Sequence, residues 1–547
     1  MRKRLALLLP VLVAGLLPPA SASAQKFRSD DPLRVDPDDL PIPKPGEIEL
    51  TTAYDVIEHS FHHRPGGRVP PAANVNTLGE VPDSSWFTNR IGVREMTLEE
   101  LARGPAAANG PDTSTPWAVI GGKSSGITPG FTIRDGRGDV YFLKFDPVRY
   151  PNLATSVDVI GSKFFHAFGY NVPENFIVRF RRDQLVIGPG AELRRGPKKR
   201  PLVAPDIDDI LASVPRLPDG RIRTVASRRL PGRPLGPHEF HGRRGDDPND
   251  LFPHEHRRDR RGYRVFCAWL NHDDSRSVNT IDTYVGAPDR GHVKHYLIDF
   301  SSILGAGSDA ERRIAPQNPR AGNEYIIDFG AMAKAAITLG IWDRPWRRVR
   351  YPHHPEIGRI EADSFRPERW KPEYPNPAFD QMLPEDAFWA AKIVARFSDE
   401  AIRAIVRTGE YADPAGERYL GDTIIKRRDK VLALYFRLLN PLDGFRIEAA
   451  AEGPRVAFEN LGVTARLAPV EGYEYQWFRF DNRTGETDSL DEIQRSSTPS
   501  LPLPAASADY LLVRIRTLSA EPAWRKKVDL YIRRDSGPTV VGIERES

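Results

Sequence analysis

Near Pro441 the apolar residues of this chain change from helical spacing to alternation, and that change divides what the chain can fold into. Before it, "AMAKAAITLG" (331–340), "EDAFWAAKIVARFSDEAIRAIVRTG" (385–409) and "RYLGDTIIKRRDKVLALYFRLLN" (418–440) carry apolar side chains at helical spacing and read as core helices. After it, "YEYQWFRFD", "DYLLVRIRTL" and "KKVDLYIRRD" alternate every second residue, as strands with one buried face do. A small antiparallel β-sandwich over 442–547 is therefore expected as a separate domain. At 547 residues the chain exceeds one compact core, so several domains and an α+β class follow.

The N-terminal half is ordered differently. Residues 117–146 are strand-dense, and "GFTIRD" and "DVYFLKFD" around Gly136 and Gly138 predict a hairpin. The next segment places Val157, Ile160, Phe164 and Phe168 at helical spacing, with Thr155 or Ser156 to cap its start and Gly169 its end. Residues 180–260 read as irregular, with a short helix at "DIDDILASV" (206–214). An apolar helix over 262–271 and a second hairpin, "TIDTYV" and "HVKHYLID" around "GAPDRG", follow. Residues 25–50, rich in Asp and Pro, read as a linker or wrapping arm.

Charge and cysteine content exclude several classes of function. The net charge is only +4, which gives no broad field to gather nucleic acid or anionic lipid. The basic runs "RRGPKKR" (194–200) and "HRRDRRG" (256–262) read as solvated loops or helix faces, without the aromatic interleaving of a nucleic-acid surface. Cys267 is the only cysteine, so no intrachain disulfide forms, and its apolar setting predicts a buried, inert thiol. Residues 1–24 have a basic start, an apolar stretch from Leu5 to Leu17 and the small-residue end Ala22-Ser23-Ala24, the form of an export signal. Nothing downstream approaches the roughly 20 apolar residues of a spanning helix, so a soluble periplasmic or extracellular protein is expected.

Metal and hydrolase motifs are weak. "HEHRR" (254–258) and "FHHR" (61–64) lack zinc-site spacing, so His254 and His256 read as a polar face, and "DDPND" (246–250) reads as a solvated loop. No G-x-S-x-G elbow accompanies a serine triad.

The segment "FCAWLNHDDSRSVNT" (266–280) sets an apolar stretch against His, Asp and Asn, and the polar part needs a chemical reason. His272-Asp273-Asp274 followed by Asn279 has the spacing H-R-D-x-x-x-x-N, with Asp at the Arg position. With the preceding hairpin and helix and the following hairpin, residues about 117–440 resemble the protein-kinase-like superfamily, nearest in style to the HipA-type and spore-coat-type bacterial kinases. The resemblance implies a two-lobed kinase-like fold, with an N-lobe-like part over 51–180 and a C-lobe-like part over 181–441.

It also implies roles. Asp274 would be the catalytic carboxylate that accepts a hydroxyl proton, with Asp273 a possible substitute, and Asn279 and Asp299 in "YLIDFSS" would be the Mg²⁺ ligands. A literal Asp328-Phe329-Gly330 lies beyond another loop and is set aside. Lys144 in "VYFLKFD" would orient the ATP phosphates, and Asp158 would hold Lys144 where the superfamily carries glutamate. Backbone N–H groups of Gly121, Gly122, Ser124, Ser125 and Gly126 in "GGKSSGITPG" would cradle phosphate oxygens. Singly, each residue also fits a structural role: an exposed strand lysine, a first-turn acid, loop caps. The resemblance implies an exported ATP- and Mg²⁺-dependent phosphotransferase acting on a protein or small-molecule acceptor. The other readings are a catalytically inactive kinase-like scaffold that binds an envelope ligand or protein, and an adhesive protein built on the β domain.

Overall fold

The computed structural model describes residues 25–546 apart from 62–66, 108, 124–128, 196–197, 310–312 and 536. The class is α+β. Two helices, α1 (Thr52–Phe61) and α2 (Leu98–Arg103), precede three strands, β1 (Trp117–Lys123), β2 (Gly130–Arg134) and β3 (Val140–Lys144). The long helix α3 (Leu153–Phe168) follows, then β4 (Asn175–Phe180), β5 (Leu185–Arg195), β6 (Lys198–Pro201), α4 (Ala204–Ala212) and β7 (Ile222–Arg228). These strands form one sheet in the order β4-β7-β3-β2-β1-β5-β6, in which only β1 and β5 are parallel. Ile207, Ile210 and Leu211 of α4 pack with Trp117, Val119, Phe131 and Ile133 of the sheet.

The sheet therefore extends to Arg228, well past the expected boundary at 180, and the stretch expected to be irregular supplies four strands. The reason lies in β5. Its Gly188-Pro189-Gly190 interrupts the alternation, and the β1 register jumps from Val119↔Ile187 to Gly121↔Glu192 across that interruption. A two-residue period with a four-residue bulge in it does not read as a strand.

The next elements are β8 (Arg233–Gly236), α5 (Arg258–Leu270), the hairpin β9 (Thr280–Ala287) and β10 (Arg290–Leu297), and the short pair β11 (Ala306–Ser308) and β12 (Ile314–Pro316). Then come α6 (Phe329–Ile337), α7 (Pro377–Asp380), α8 (Pro384–Ala395), α9 (Asp399–Arg407) and α10 (Pro414–Tyr435). The largest core joins α3, α5, α8, α9 and α10, with Phe164, Phe168, Phe266, Trp269 and Phe397 near its centre. Cys267 lies in it, fully buried, and burial raises its thiol pKa well above the usual range.

Further expectations need correction. The helix over 331–340 is no core helix, because only Ala331 of α6 is buried. The run "HRRDRRG" is not solvated: Arg257, Arg258, Arg260 and Arg261 are all buried, with Asp386 on Arg258 Nε at 2.9 Å and on Arg261 Nη1 at 3.4 Å. His254 is buried too, placed between the Glu239 carbonyl (2.6 Å) and Asp250 (2.8 Å), which itself belongs to the loop read as solvated. The expected helix 385–409 is two helices, divided where Ser398 Oγ accepts from Ala401 N at 3.1 Å and caps α9.

The C-terminal part has β13 (Leu442–Glu448), β14 (Arg455–Asn460), the turn α11 (Leu461–Thr464), β15 (Gly472–Phe480), β16 (Thr487–Ser489), β17 (Gln494–Ser496), β18 (Ser500–Pro502), β19 (Tyr510–Leu518), β20 (Val528–Arg533) and β21 (Thr539–Arg545). Two antiparallel sheets, β13-β14-β18 and β16-β15-β19-β20-β21 with β17 also on β15, enclose one core around Val456, Trp477, Val513 and Leu530. The arm starts on this domain, with Phe27 buried beside Phe480 and Tyr531, then bridges Asp83 through Val35 and Gly291 through Ile42.

Candidate active site

Three chain segments meet at Lys144. The lysine ends β3, where the alternation buries Tyr141 and Leu143 and leaves Phe142 and Lys144 on the other face. Its Nζ donates to Asp158 Oδ2 on α3 and to Asp299 Oδ1 after β10, both at 3.1 Å. Burial alone would lower the Lys144 pKa, and the two carboxylates together raise it above the usual lysine range, so it is a fixed cation. The short aspartate side chain of Asp158 thus reaches the lysine.

Asp158 is a hub. Its Oδ2 takes Lys144, and its Oδ1 accepts from Asn175 Nδ2 and from the Phe300 backbone N–H, each at 3.1 Å. Burial raises the Asp158 pKa from the usual carboxylate range; Lys144 and the Phe300 N–H oppose the rise and the Asp299 carboxylate adds to it. The start of α3 is held from outside the helix: Asp146 accepts from Ala154 N at 2.8 Å and Thr155 N at 3.2 Å. The cap is therefore Asp146 and neither Thr155 nor Ser156, whose hydroxyls bond Arg223 of β7. Gly169 does close the helix, at φ 131°.

Gly161 explains how the Asp299 loop comes so close to α3. A Cβ at Gly161 would lie 2.6 Å from Phe300 Cβ and from Ile303 Cδ1. Gly161→Ala is expected to lower stability by about 1–3 kcal/mol despite alanine's better helix propensity, because the core cannot admit the methyl. Urea unfolding checks this, and a gain in stability would contradict the close approach.

The placement of residues 271–279 follows from how α5 ends. Asn271 takes the left-handed conformation (φ 53°), and His272 N returns to Cys267 O at 2.9 Å. His272 is buried with its ring near Phe165 (5.7 Å) and Phe300 (5.9 Å), and burial pulls its pKa down to about 4, so it is a neutral packing residue. Asp273 is tied to Gln317, whose Nε2 donates to its Oδ1 at 2.6 Å, and burial with Asp274 and Glu373 nearby raises its pKa well above the usual range.

Asp274 contacts Arg276, whose Nη1 also lies 3.1 Å from Glu373. Burial pushes Asp274 up to about 7, with Glu373 and Asp299 adding to the rise and Arg276 opposing it. Asn279 donates from Nδ2 to the Asp274 carbonyl at 2.7 Å, which leaves its Oδ1 as the free end of the amide among the described residues. The β9–β10 register pairs Thr280 with Leu297, and one step further Ile298 N donates to Asn279 O at 2.9 Å. The hairpin thereby sets Asn279 beside the segment that carries Asp299.

Asp299 has φ 61°, a conformation few non-glycine residues adopt and one that clusters at functional sites. Ser301 Oγ donates to its Oδ1 at 2.6 Å, while Oδ2 has no hydrogen bond among the described residues. Burial works against its charge, but Lys144 and Ser301 hold its carboxyl well below the usual range. Phe300, stacked on Phe165 at 4.9 Å, anchors the loop in the core. Asp299 Oδ2 and Asn279 Oδ1 are neutral-pH oxygen donors of the kind Mg²⁺ takes, so the residues fit that ion.

Two other sets of residues stand apart from this convergence. Asp328 of the literal Asp-Phe-Gly caps α6 by accepting from Ala331 N at 2.9 Å and pairs with Lys371 at 2.5 Å. In the glycine-rich segment, Gly121 and Gly122 lie within β1, and a Cβ at Gly122 would meet Leu202 at 2.7 Å and Leu193 at 3.1 Å, so this glycine serves packing. Ser124, Ser125 and Gly126 lie outside the described residues.

Sequence reasoning missed Arg276, Glu373, Asn175, Gln317 and Ser301. Only Arg276 and Ser301 lie in the quoted motifs; the others come from distant segments with no local signal. It also missed a buried cluster of His238, Asp282 and His295, whose ligand atoms lie within 4.8 Å of one another and could hold a metal ion. Asp282 and His295 are cross-strand partners in β9–β10. Both imidazole Nδ1 atoms contact Asp282 Oδ1, at 2.8 and 2.7 Å, and Arg244 Nη1 lies 3.4 Å from Oδ2. The cluster lies under Trp86, which stacks on His295 at 3.4 Å, and His238 Nε2 is buried without a hydrogen-bond partner among the described residues. No family model, curated protein or solved structure matches the chain.

Proposed function

We propose that the chain is an exported phosphotransferase with a kinase-like arrangement of its first 440 residues, taking ATP with Mg²⁺ as donor and a hydroxyl-bearing protein or small molecule as acceptor. The single observation that supports this best is the double contact of Lys144 with Asp158 and Asp299, from segments 14 and 155 residues away. An isolated strand lysine has no reason to sit between a helix acid and a loop acid held in strained backbone. Phosphoryl transfer does: it calls for a positioned cation, oxygen ligands and a carboxylate, and little else.

In this scheme Lys144 orients the α- and β-phosphates, and Asp158 holds both the lysine and the backbone of the Asp299 loop. Asp299 and Asn279 would hold Mg²⁺, which when bound neutralises charge on the transferred phosphoryl group. Asp274 accepts the proton of the acceptor hydroxyl as its oxygen bonds to the γ-phosphorus and the bond to the β-phosphate oxygen breaks, releasing ADP. Arg276 bridges Asp274 and Glu373, so the arginine keeps a carboxylate partner when Asp274 takes up the proton.

With Asp274 pushed up to about 7, its base form fills only as the pH rises through that value. The rate of ATP consumption is expected to climb about tenfold per pH unit below pH about 7 and level off above it. Initial rates across that range check the sign, and a rate that falls as pH passes about 7 would remove Asp274 from the base role.

A further inference from the structure

Helix α1 is turned the wrong way round for a protein surface. It buries Asp55 and His59, which lie 3.0 Å apart with Tyr374 on Asp55, and it exposes Tyr54, Ile57 (60%) and Phe61 (62%). Helix α6 repeats the inversion: beyond Ala331 it presents Phe329, Met332 and Ile337 to solvent, and the turn after it adds Leu339 and Ile341. The two helices touch, since the Phe61 and Phe329 rings lie 5.7 Å apart, so their outward faces form one apolar surface. Soluble proteins rarely leave such a patch unpartnered.

The shape and the rim of the patch say what covers it. Ile337, Leu339 and Ile341 are 82%, 89% and 84% exposed, so they project as a tip and line no groove. A projecting aliphatic tip fits a soft phase better than a flat protein partner. Directly after the tip, "WDRPWRRVR" (342–350) sets two tryptophans among four arginines, with Arg344 6.0 Å from the Trp342 ring and Arg347 5.5 Å from the Trp346 ring. Glu324 pairs with Arg344 and Asp343 with Arg348, while Arg347 and Arg350 have no acidic partner among the described residues. Aliphatic tip, tryptophans at the boundary and free arginines behind them are the sequence of chemistries met on crossing from acyl chains to anionic headgroups.

We propose that this face docks the protein onto an anionic lipid bilayer, with the outer faces of α1 and residues 329–341 in the interfacial layer and Arg347 and Arg350 among the headgroup phosphates. The near-balanced total charge conceals this local concentration. No described helix is long and apolar enough to cross a membrane, so the attachment is to the surface. A cavity of about 1190 Å³ lies beside this face and is lined in part by Ser60, Phe329, Trp342 and Trp346. The proposal does not depend on phosphotransferase activity.

The test is co-sedimentation of the processed full chain with phosphatidylcholine vesicles, with and without phosphatidylglycerol. Binding to the phosphatidylglycerol vesicles is expected, weakened at least about tenfold by Ile337→Asp with Leu339→Asp and Ile341→Asp, and also by Arg347→Glu with Arg350→Glu. The thermal midpoint of both variants should match the parent, because the replaced side chains are exposed. Absence of vesicle binding overturns the proposal, as does unchanged binding of the triple variant. Equal binding to neutral vesicles overturns its anionic part, and a self-associated form that the triple variant abolishes, without vesicle binding, assigns the patch to a second copy.

Discussion

Replacing Asp299 by alanine is expected to lower phosphoryl transfer about 10³-fold while the fold persists. The carboxylate's Oδ1 holds Lys144 at 3.1 Å and Ser301 Oγ at 2.6 Å, and in the proposed scheme Oδ2 would take the cation. Without the carboxylate the proposed Mg²⁺ would lose its charged ligand, and Lys144 keeps only Asp158. The loop itself stays, because Phe300 is fixed independently by its N–H on Asp158 Oδ1 and its ring on Phe165. Asp299→Asn separates charge from shape, since asparagine tolerates the left-handed backbone and can still accept from Ser301. Both variants should be inactive with near-parent circular dichroism; an active Asp299→Asn would mean that no cation is held there.

The largest loss of stability is expected at Asp386, far from the site. Asp386→Ala should cost about 3–5 kcal/mol in urea unfolding, because it strands two buried guanidinium groups at once. Asp386 is fully buried, accepts from Arg258 Nε at 2.9 Å, lies 3.4 Å from Arg261 Nη1, and also accepts from Leu383 N at 2.9 Å at the start of α8. A cost below about 1 kcal/mol would show that these arginines find water or other acceptors instead.

Those arginines also show where sequence reading stops. A run such as Arg257 to Arg261 carries no mark of burial: Asp259 within it serves Arg257 and Arg260, but Asp386, the acid on Arg258 and Arg261, comes more than a hundred residues later, and Trp86, with Arg257 and Arg260 each 4.6 Å from its ring, comes well before it. The same limit made α6 read as a core helix: its alanine-rich, aliphatic composition is that of a buried element, and only the structure places it outward. The hairpins 130–144 and 280–297 were legible because alternation and turn residues are local.

At the site, the residues legible in advance were those whose spacing is set by one loop or one strand end. Lys144, Asp158 and Asp299 converge as the motif order implies, and Asn279 sits one residue outside the β9–β10 ladder that leads to Asp299. What tunes them was not legible. Asn175 on Asp158, Glu373 on Arg276 and Gln317 on Asp273 act across long chain separations, and no periodicity reports a contact of that kind. Asp273 and Asp274 are neighbours in sequence, yet one is turned to Gln317 and the other to Arg276, so adjacency gave no guide to which could act.

The measurement closest to the central claim is the thermal midpoint of the full chain with ATP and Mg²⁺, for the parent and for Asp299→Ala. If Lys144, Asn279 and Asp299 form one nucleotide and metal unit, saturating Mg·ATP at about 100 times its Kd should stabilise the parent by about 2.7 kcal/mol, ATP without Mg²⁺ should do less, and Asp299→Ala should not respond to either. A parent indifferent to Mg·ATP, or a variant stabilised as much as the parent, would contradict that unit and the phosphotransferase reading with it.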